Sequence, residues 1–568
     1  MSATTADGQP HVLRALVRRW ASVDMRSLGA LRIALGLLLM ADLGERFCHA
    51  EAFYSNSGVL TNHFALFRPI APHQFSLFLA LSQVADVEVA FAGTLLVYFA
   101  FLVGYRTRLF HALSFVLATS LHSRNLLAEL PSDVPLHWLL LWTFLLPLGA
   151  RFSVDAVRKS WGERREHSPE DLQTRVTPPR DFTSLAVLGL LLQLAGMHVA
   201  TALAAQGDAW QDGSALSFAL QHPAWSTVLG RWVAAHASVQ NLANGYRALY
   251  FAAGALVLVP WAPVRKIAFA SLLVLHLAGR ALFDFGLYDW VLLVPALILM
   301  EGSDWDFLRD AYAARKRRLT VYFDADCGIC FAVARLLVRL DALHRLTFAA
   351  GASEDSPAEV RALADRTICV RAEPGGIVET KSRSFARILR SLPFLAPAGW
   401  LLLAPGVSWL ADRIYSVIAR HRADISVFFG FAACGLPHAP SKPRIARPVR
   451  RSAFAPAVRE VAAAWVLAFA VLAFALRIDD EVGAHGWYGE LVGYVAYPRL
   501  FQLWRPPFLV GRASQFDAFA PRGEEPDPLA DTRGSRLWAA YSARIAEPRF
   551  SVYLDGLREF ARHKAGQP

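Results

Sequence analysis

Cysteine is scarce in this chain. Among 568 residues there are five, and only Cys327 and Cys330 lie close together. That excludes a small secreted scaffold stapled by disulfides. No second Cys-x-x-Cys or spaced histidine pair completes a structural zinc set. No paired carboxylates with His-x-x-His spacing suggest a di-iron bundle either, so no metal is expected. Charge is also thin, at 18% of residues against 55% hydrophobic, and mean hydropathy is +0.32. A soluble core does not need so much apolar material. The N-terminus reaches Arg19 without an apolar run, so no cleavable signal peptide is visible. No internal repeat and no pair of Gly/Pro-interrupted spans point to a transporter.

What the chain does have is long apolar segments. Eight are expected to span a membrane: Leu28 to Leu43, Val89 to Gly104, Leu109 to Leu121, Val134 to Ala150, Thr183 to Ala205, Tyr246 to Trp261, Ile267 to Phe283 and Leu287 to Met300. A ninth, Val461 to Leu476, stands apart. The third and eighth are short enough to be buried or re-entrant helices. The net charge of +11 comes largely from basic clusters at the ends of these segments, such as Arg315 to Arg318. That placement orients membrane helices; it does not suggest nucleic acid as a partner. The alternation of basic and neutral loops puts the N-terminus in the cytoplasm, together with everything between Met300 and the ninth span. The tail after Asp479 then lies on the far face. These readings amount to a multi-pass protein of the inner (cytoplasmic) membrane with about eight to nine spans, with the lipid bilayer as its first partner.

The stretch from Arg318 to Gly435 differs. LTVYF, LTFAAG, TICVRA and GIVET read as strands, and FAVARLLVRLDAL and SFARILRSL as helices. This is an α/β order of soluble-domain size. The expected layout is a cytoplasmic N-terminus 1–26, a multi-span membrane domain 27–301, an α/β domain 318–435, a basic linker 436–459, a last transmembrane helix 460–478 and an extracytoplasmic region 479–568.

Within FDADCGIC, Cys327 and Cys330 sit between the first of those strands and its helix. A cysteine at a helix N-terminus meets unpaired amides and the positive end of the dipole, which favour its thiolate. Cys327 is then the attacking thiol and Cys330, one turn on, the resolving thiol. Gly328 keeps the turn tight. Asp324 and Asp326 oppose the thiolate unless one relays protons. A zinc-ligand pair and two inert buried cysteines are the alternatives. FDADCGIC, together with the later DRIYSVIARHRADISVFFG, resembles the DCC family of predicted thiol-disulfide oxidoreductases over about Leu319 to Gly435. The resemblance implies a thioredoxin-like fold and a cytoplasmic thiol or disulfide partner. The proline that faces the dithiol in thioredoxins is missing from the matching segment DRTICV, Asp365 to Val370.

RSLGALRIALGLLLMADLGERF, YSNSGVL, SLHSRN and WTFLLPLGARFSVDA resemble the HTTM domain, the membrane part of vitamin K-dependent γ-carboxylases. QLWRPPF, Gln502 to Phe508, resembles the stretch by which such proteins enter their extramembrane part. The resemblance implies a quinone or lipid as substrate of the membrane part. It also implies a lysine base shortly before a tryptophan. In GMHVATALAAQGDAWQDG the tryptophan is Trp210, but Ala204 and Ala205 occupy the lysine's neighbourhood. No lysine occurs between Lys159 and Lys266, so carboxylation by that mechanism is not expected. His198 is the nearby weaker base, or a satisfied core histidine. Polar residues in or beside the spans include Arg124, Asp133 and His137, expected to cluster around a membrane cavity or to act as helix-helix glue. Two functions follow. One is a membrane-bound thiol-disulfide oxidoreductase whose membrane part takes a quinone or lipid. The other is a non-enzymatic lipid-binding scaffold with a redox-sensing dithiol.

Overall fold

The structure, a computed structural model, describes residues 19–70, 76–162, 181–205, 208–221, 225–236, 238–314, 318–324, 327–341, 344–363, 366–372, 376–392, 395–429, 456–468, 535–545 and 548–564. The chain divides into two compact units. The first takes Met1–Leu148, Asp181–Met300 and Ala453–Pro568, and the second takes Gly149–Arg180 and Glu301–Ser452.

The first unit is helical. A short strand β1 (Ser22–Asp24) pairs antiparallel with β2 (Asp181–Thr183). Asp24 then caps α1 (Met25–Phe47), its carboxylate accepting from the Arg26 amide at 2.7 Å. Further helices are α2 (Val84–Val103), α3 (Thr107–Ser123), α4 (Asp133–Phe144), α5 (Leu185–Ala204), α6 (Val239–Val257), α7 (Ala262–Leu282) and α8 (Tyr288–Leu293). Four helices among the described residues are long and apolar enough to cross a membrane: Met25–Phe47, Val84–Val103, Leu185–Leu203 and Ala262–Leu282. They coincide with the first, second, fifth and seventh expected spans.

The other expected spans differ for physical reasons. The fourth shrinks to the 12 residues of α4, about 18 Å of helix, well short of a bilayer core. It is an interior helix, with Trp142 fully buried. The third becomes α3, which buries Ser114, Thr119, Ser120 and His122. The eighth breaks into α8 and a 3-10 turn, Val294–Leu299, beginning at Pro295. The ninth is described only as a helix over 456–468; there Glu460 accepts from the Leu185 amide at 2.8 Å, capping α5. The linker 436–455 and Gln502 to Phe508 lie outside the described residues. The tail helices Arg536–Ile545 and Leu554–Lys564 gather at the C-terminal end of α1. Arg536 pairs with Glu45 at 2.8 Å, Ser535 bonds His49 at 2.8 Å, and the Trp538 and Phe53 rings meet tilted at 4.8 Å. Trp20 and Arg265 mark the opposite end of α1, bonding Leu258 and Ile298 carbonyls at 2.7 and 2.9 Å.

In the second unit, α9 (Gly302–Ala314) leads to a sheet of β3 (Leu319–Phe323), β4 (Leu346–Ala350), β5 (Cys369–Ala372) and β6 (Val378–Thr380), in the order β4-β3-β5-β6. β3 runs parallel to β4 and antiparallel to β5. Every residue of β3 is buried, as a central strand covered on both faces requires. α10 (Gly328–Leu340) and α11 (Lys381–Ser391) pack on this sheet, and α12 (Ala396–Leu401), α13 (Pro405–Arg420) and α14 (Arg422–Phe428) follow. The helix Val154–Gly162 belongs to this unit, although it falls inside the 27–301 stretch expected to be membrane domain; it packs on α10. α10 buries Arg335 as well as its apolar face.

Close helix packing in the first unit depends on small residues. A Cβ on Gly189 of α5 would stand 2.3 Å from the Trp142 ring of α4. Gly189→Ala should therefore overpack this contact and cost about 1–3 kcal/mol. A lower thermal unfolding midpoint in detergent is the expected reading.

Candidate functional site

The dithiol is built by the end of β3 and the start of α10. Cys327 is the N-cap of α10, with φ −98° and ψ 114°, and its carbonyl accepts from the Phe331 amide at 2.9 Å. Its thiol makes no capping bond to the helix amides. Gly328 is the first helical residue and Cys330 lies in the first turn. Cys327 is fully buried, whereas Cys330 is half-buried against the sheet core. The Asp324 carboxylate pairs with the Arg422 guanidinium at 3.1 Å. Its charge is thus answered by α14, which weakens its opposition to a nearby thiolate. Asp326 lies outside the described residues.

Sequence reasoning missed what covers this site. The signal was present in DRIYSVIARHRADISVFFG, the segment that forms α13 and α14. Three of its side chains converge on the dithiol region. Arg422 takes Asp324. Ser426 is fully buried and accepts from the Ile329 amide of the α10 N-terminus at 3.3 Å. The Tyr415 hydroxyl accepts from the Ile368 amide at 2.9 Å and from Thr367 Oγ1 at 3.0 Å. Burial pushes the Tyr415 phenol up against these two bonds, and negative charge on Cys330 or Cys369 acts in the same direction. The backbone just before β5 is therefore already bonded by Tyr415.

Cys369 is separate from the dithiol chemistry. It is fully buried on β5 beside Tyr322 and Val360, and burial pushes its thiol up to about 11. Cys434 lies outside the described residues, and Cys48 is exposed in the first unit.

In the first unit, Asp133 and His137 both lie on α4 and approach His122, but Arg124 does not join them. Arg124 donates instead to the Leu60 carbonyl at 2.8 Å and Asn62 Oδ1 at 2.7 Å. The cation between the carboxylates is Arg46. It bonds Asp42 Oδ1 at 3.0 Å and Asp133 Oδ1 at 2.7 Å, and reaches the Tyr54 hydroxyl at 3.2 Å. His122 bridges Asp42 Oδ2 at 2.8 Å and His137 Nε2 at 3.0 Å. Asp42, His122 and Asp133 are close enough to share a cation, but the Arg46 guanidinium already supplies positive charge to both carboxylates. Asp42 was legible as a charged residue inside the apolar segment Leu28 to Leu43, with Arg46 one turn further on, just past its end.

His198 belongs to a second buried chain. Its Nδ1 donates to the Leu194 carbonyl at 2.7 Å, its Nε2 meets His276 Nε2 at 2.8 Å, and His276 Nδ1 meets Asp289 Oδ1 at 3.0 Å. Each contact needs one proton, and two neutral imidazoles supply only two. The third belongs to the His276–Asp289 pair, so the chain is neutral as imidazolium–carboxylate or as imidazole–carboxylic acid. Gly279 makes room for it, since a Cβ there would stand 2.7 Å from Asp289 Oδ1. Trp210 stacks on Tyr246 at 6.0 Å, and Tyr250 stacks on His198 at 5.6 Å.

Residues 321–427 match the family model described as DCC1-like thiol-disulfide oxidoreductase. The match does not extend to the helical unit, so the carboxylase-like resemblance there rests on its sequence motifs alone. No curated protein and no solved structure matches the chain.

Three outcomes follow. Arg46→Leu leaves two buried carboxylates without their cation and should cost about 3–5 kcal/mol, read as a fall in thermal midpoint that Asp42→Asn with Asp133→Asn partly restores. Iodoacetamide near neutral pH, followed by peptide mass mapping, should label Cys330 and leave Cys369 unmodified until pH approaches the thiol's value of about 11. Arg422→Ala, which frees α14 from Asp324, should raise labelling of Cys327 several-fold.

Proposed function

We propose that this protein is a membrane-attached thiol-disulfide oxidoreductase whose reactive pair is Cys327 and Cys330. The observation that carries this reading is the pair's position at the start of α10, after the central strand, inside the segment matched to the DCC1-like family. The strand order β4-β3-β5-β6, with the dithiol after the first strand in sequence, supports a thioredoxin-like fold. The helix dipole and the amides of the first turn stabilise a thiolate at Cys327. That thiolate attacks one sulfur of a partner disulfide, forming a mixed disulfide and expelling the partner's other sulfur as a thiolate. Cys330 then attacks the Cys327 sulfur, closes an internal disulfide and releases the partner's second thiol. Two electrons pass from the dithiol to the partner, and the partner's two sulfurs take up the two protons. A cytoplasmic thiol reduces the internal disulfide by the same steps reversed.

The attack requires Cys327 to become exposed, because it is fully buried, and α14, which bonds Asp324 and the Ile329 amide on either side of it, is the element whose movement this reading invokes. The same coverage favours a second reading, a redox-sensing dithiol that reports oxidation without turning over. In both readings the helical unit anchors the protein in the inner membrane through its long apolar helices. The N-terminus and the dithiol unit then face the cytoplasm and the tail faces the other side. The basic clusters support that orientation, and the γ-carboxylase-like motifs support a quinone or lipid in the helical unit.

The test uses the full chain in membranes, poised with glutathione buffers or a soluble quinone and trapped with a mass-shifting maleimide. A two-electron transition that disappears in Cys327→Ser, together with reduction of a small disulfide substrate, is expected. A transition without turnover selects the sensor. Thiols that stay reduced at every poise end both readings.

A further inference from the structure

Helix α13 is inside out. A helix on a soluble domain turns its apolar stripe to the core and its polar face to water. Here the residues facing the domain are small or polar. Asp412 accepts from the Ser382 amide at 3.0 Å, and Tyr415 reaches Thr367 and Ile368. Trp409, Leu410, Ile414, Val417 and Ile418 face outward, each between 41% and 62% exposed, and no residue of this helix is buried. Exposed apolar side chains also stand on α12, where Trp400 is 62% exposed, and at the end of α14, where Phe428 is 84% exposed. A helix face this apolar and this exposed marks a contact with another apolar phase.

The charges around it indicate which phase. Arg390 lies over the Trp400 ring at 4.2 Å and Arg413 over Trp409 at 5.1 Å, with Arg420 at the end of the helix. Asp424, beside His421 at 3.6 Å, is the acidic group at that end. Outward tryptophans with guanidiniums at their rims suit a surface that is apolar within and anionic at its edge. The chain provides the setting. Four of its helices are long and apolar enough to cross a membrane. The second unit is joined covalently to the first at Met300–Glu301 and Ser452–Ala453. A bilayer is thus held at high effective concentration near the second unit.

We infer that the outward face of α12 to α14, centred on Trp409, Ile414 and Val417, docks on the surface of an anionic lipid bilayer. Its apolar side chains enter the headgroup boundary and its arginines meet lipid phosphates. This docking does not depend on the redox reading of the dithiol.

The test places p-benzoylphenylalanine at Ile414, or at the inward Tyr415 as control, in the full chain reconstituted in vesicles of phosphatidylethanolamine with phosphatidylglycerol. After illumination, a lipid adduct identified by mass is expected from position 414 and not from 415. Its yield should fall several-fold in phosphatidylcholine vesicles and in Arg413→Glu with Arg420→Glu. The change of lipid carries the same inference with no mutation of the arginines, so misfolding of that variant leaves the test intact. A cross-link from 414 to a second copy, a cross-link within the chain, an adduct that ignores lipid charge, or no adduct at all would overturn it.

Discussion

Arg46 between Asp42 and Asp133 is the contact around which the helical unit is organised. Taking two carboxylates and a guanidinium out of water is tolerable only if each finds its partner at hydrogen-bond distance. Asp42 and Arg46 lie one turn apart on α1, whereas Asp133 opens α4. α4 must therefore enter beside the C-terminal half of α1. His122, on α3, is fixed by the same rule, since it bonds Asp42 at one ring nitrogen and His137 at the other. Apolar faces alone would let these helices slide or rotate at little cost, because leucine packs on leucine in many registers. The polar network selects one.

The His198–His276–Asp289 chain does the same for α5, α7 and α8. It differs in charge. The Arg46 network carries a permanent cation, whereas this chain reaches neutrality by holding one proton beyond those of two neutral imidazoles. The glycine at 279 belongs to the arrangement, because any larger residue would displace the carboxylate. Both networks lie on the faces that helices turn toward one another, where polar groups in an apolar unit are least costly.

In the second unit one segment has two functions on opposite faces. The inner face of α13 and α14 supplies Tyr415, Arg422 and Ser426 to the surroundings of the dithiol. The outer face supplies tryptophans and branched aliphatics to whatever lies beyond the domain. The missing proline in Asp365 to Val370 takes on meaning here. A peptide platform needs a free strand edge, and the Ile368 amide is spent on Tyr415. Access to Cys327 is therefore a property of how firmly this segment is held.

Much of this was legible in the chain. The strands of the second unit fall where alternation and β-branched runs place them, and Cys327 and Cys330 share a helix start because their spacing permits little else. The apolar segments were visible too, but their number was not their fate. Val134 to Ala150 reads as a span by composition, yet it becomes a 12-residue interior helix, because composition does not say whether an apolar face meets lipid or other helices. The pairing of Arg46 with Asp133 was hidden by a sequence separation of 87. Arg124, which lies closer to Asp133 in sequence, was the reasonable wrong partner. Local patterns are written in the sequence because they arise between residues a turn or a strand apart. Which buried charge meets which, and which face of α13 looks outward, is decided only when distant segments share one volume and every polar group in it must find a partner.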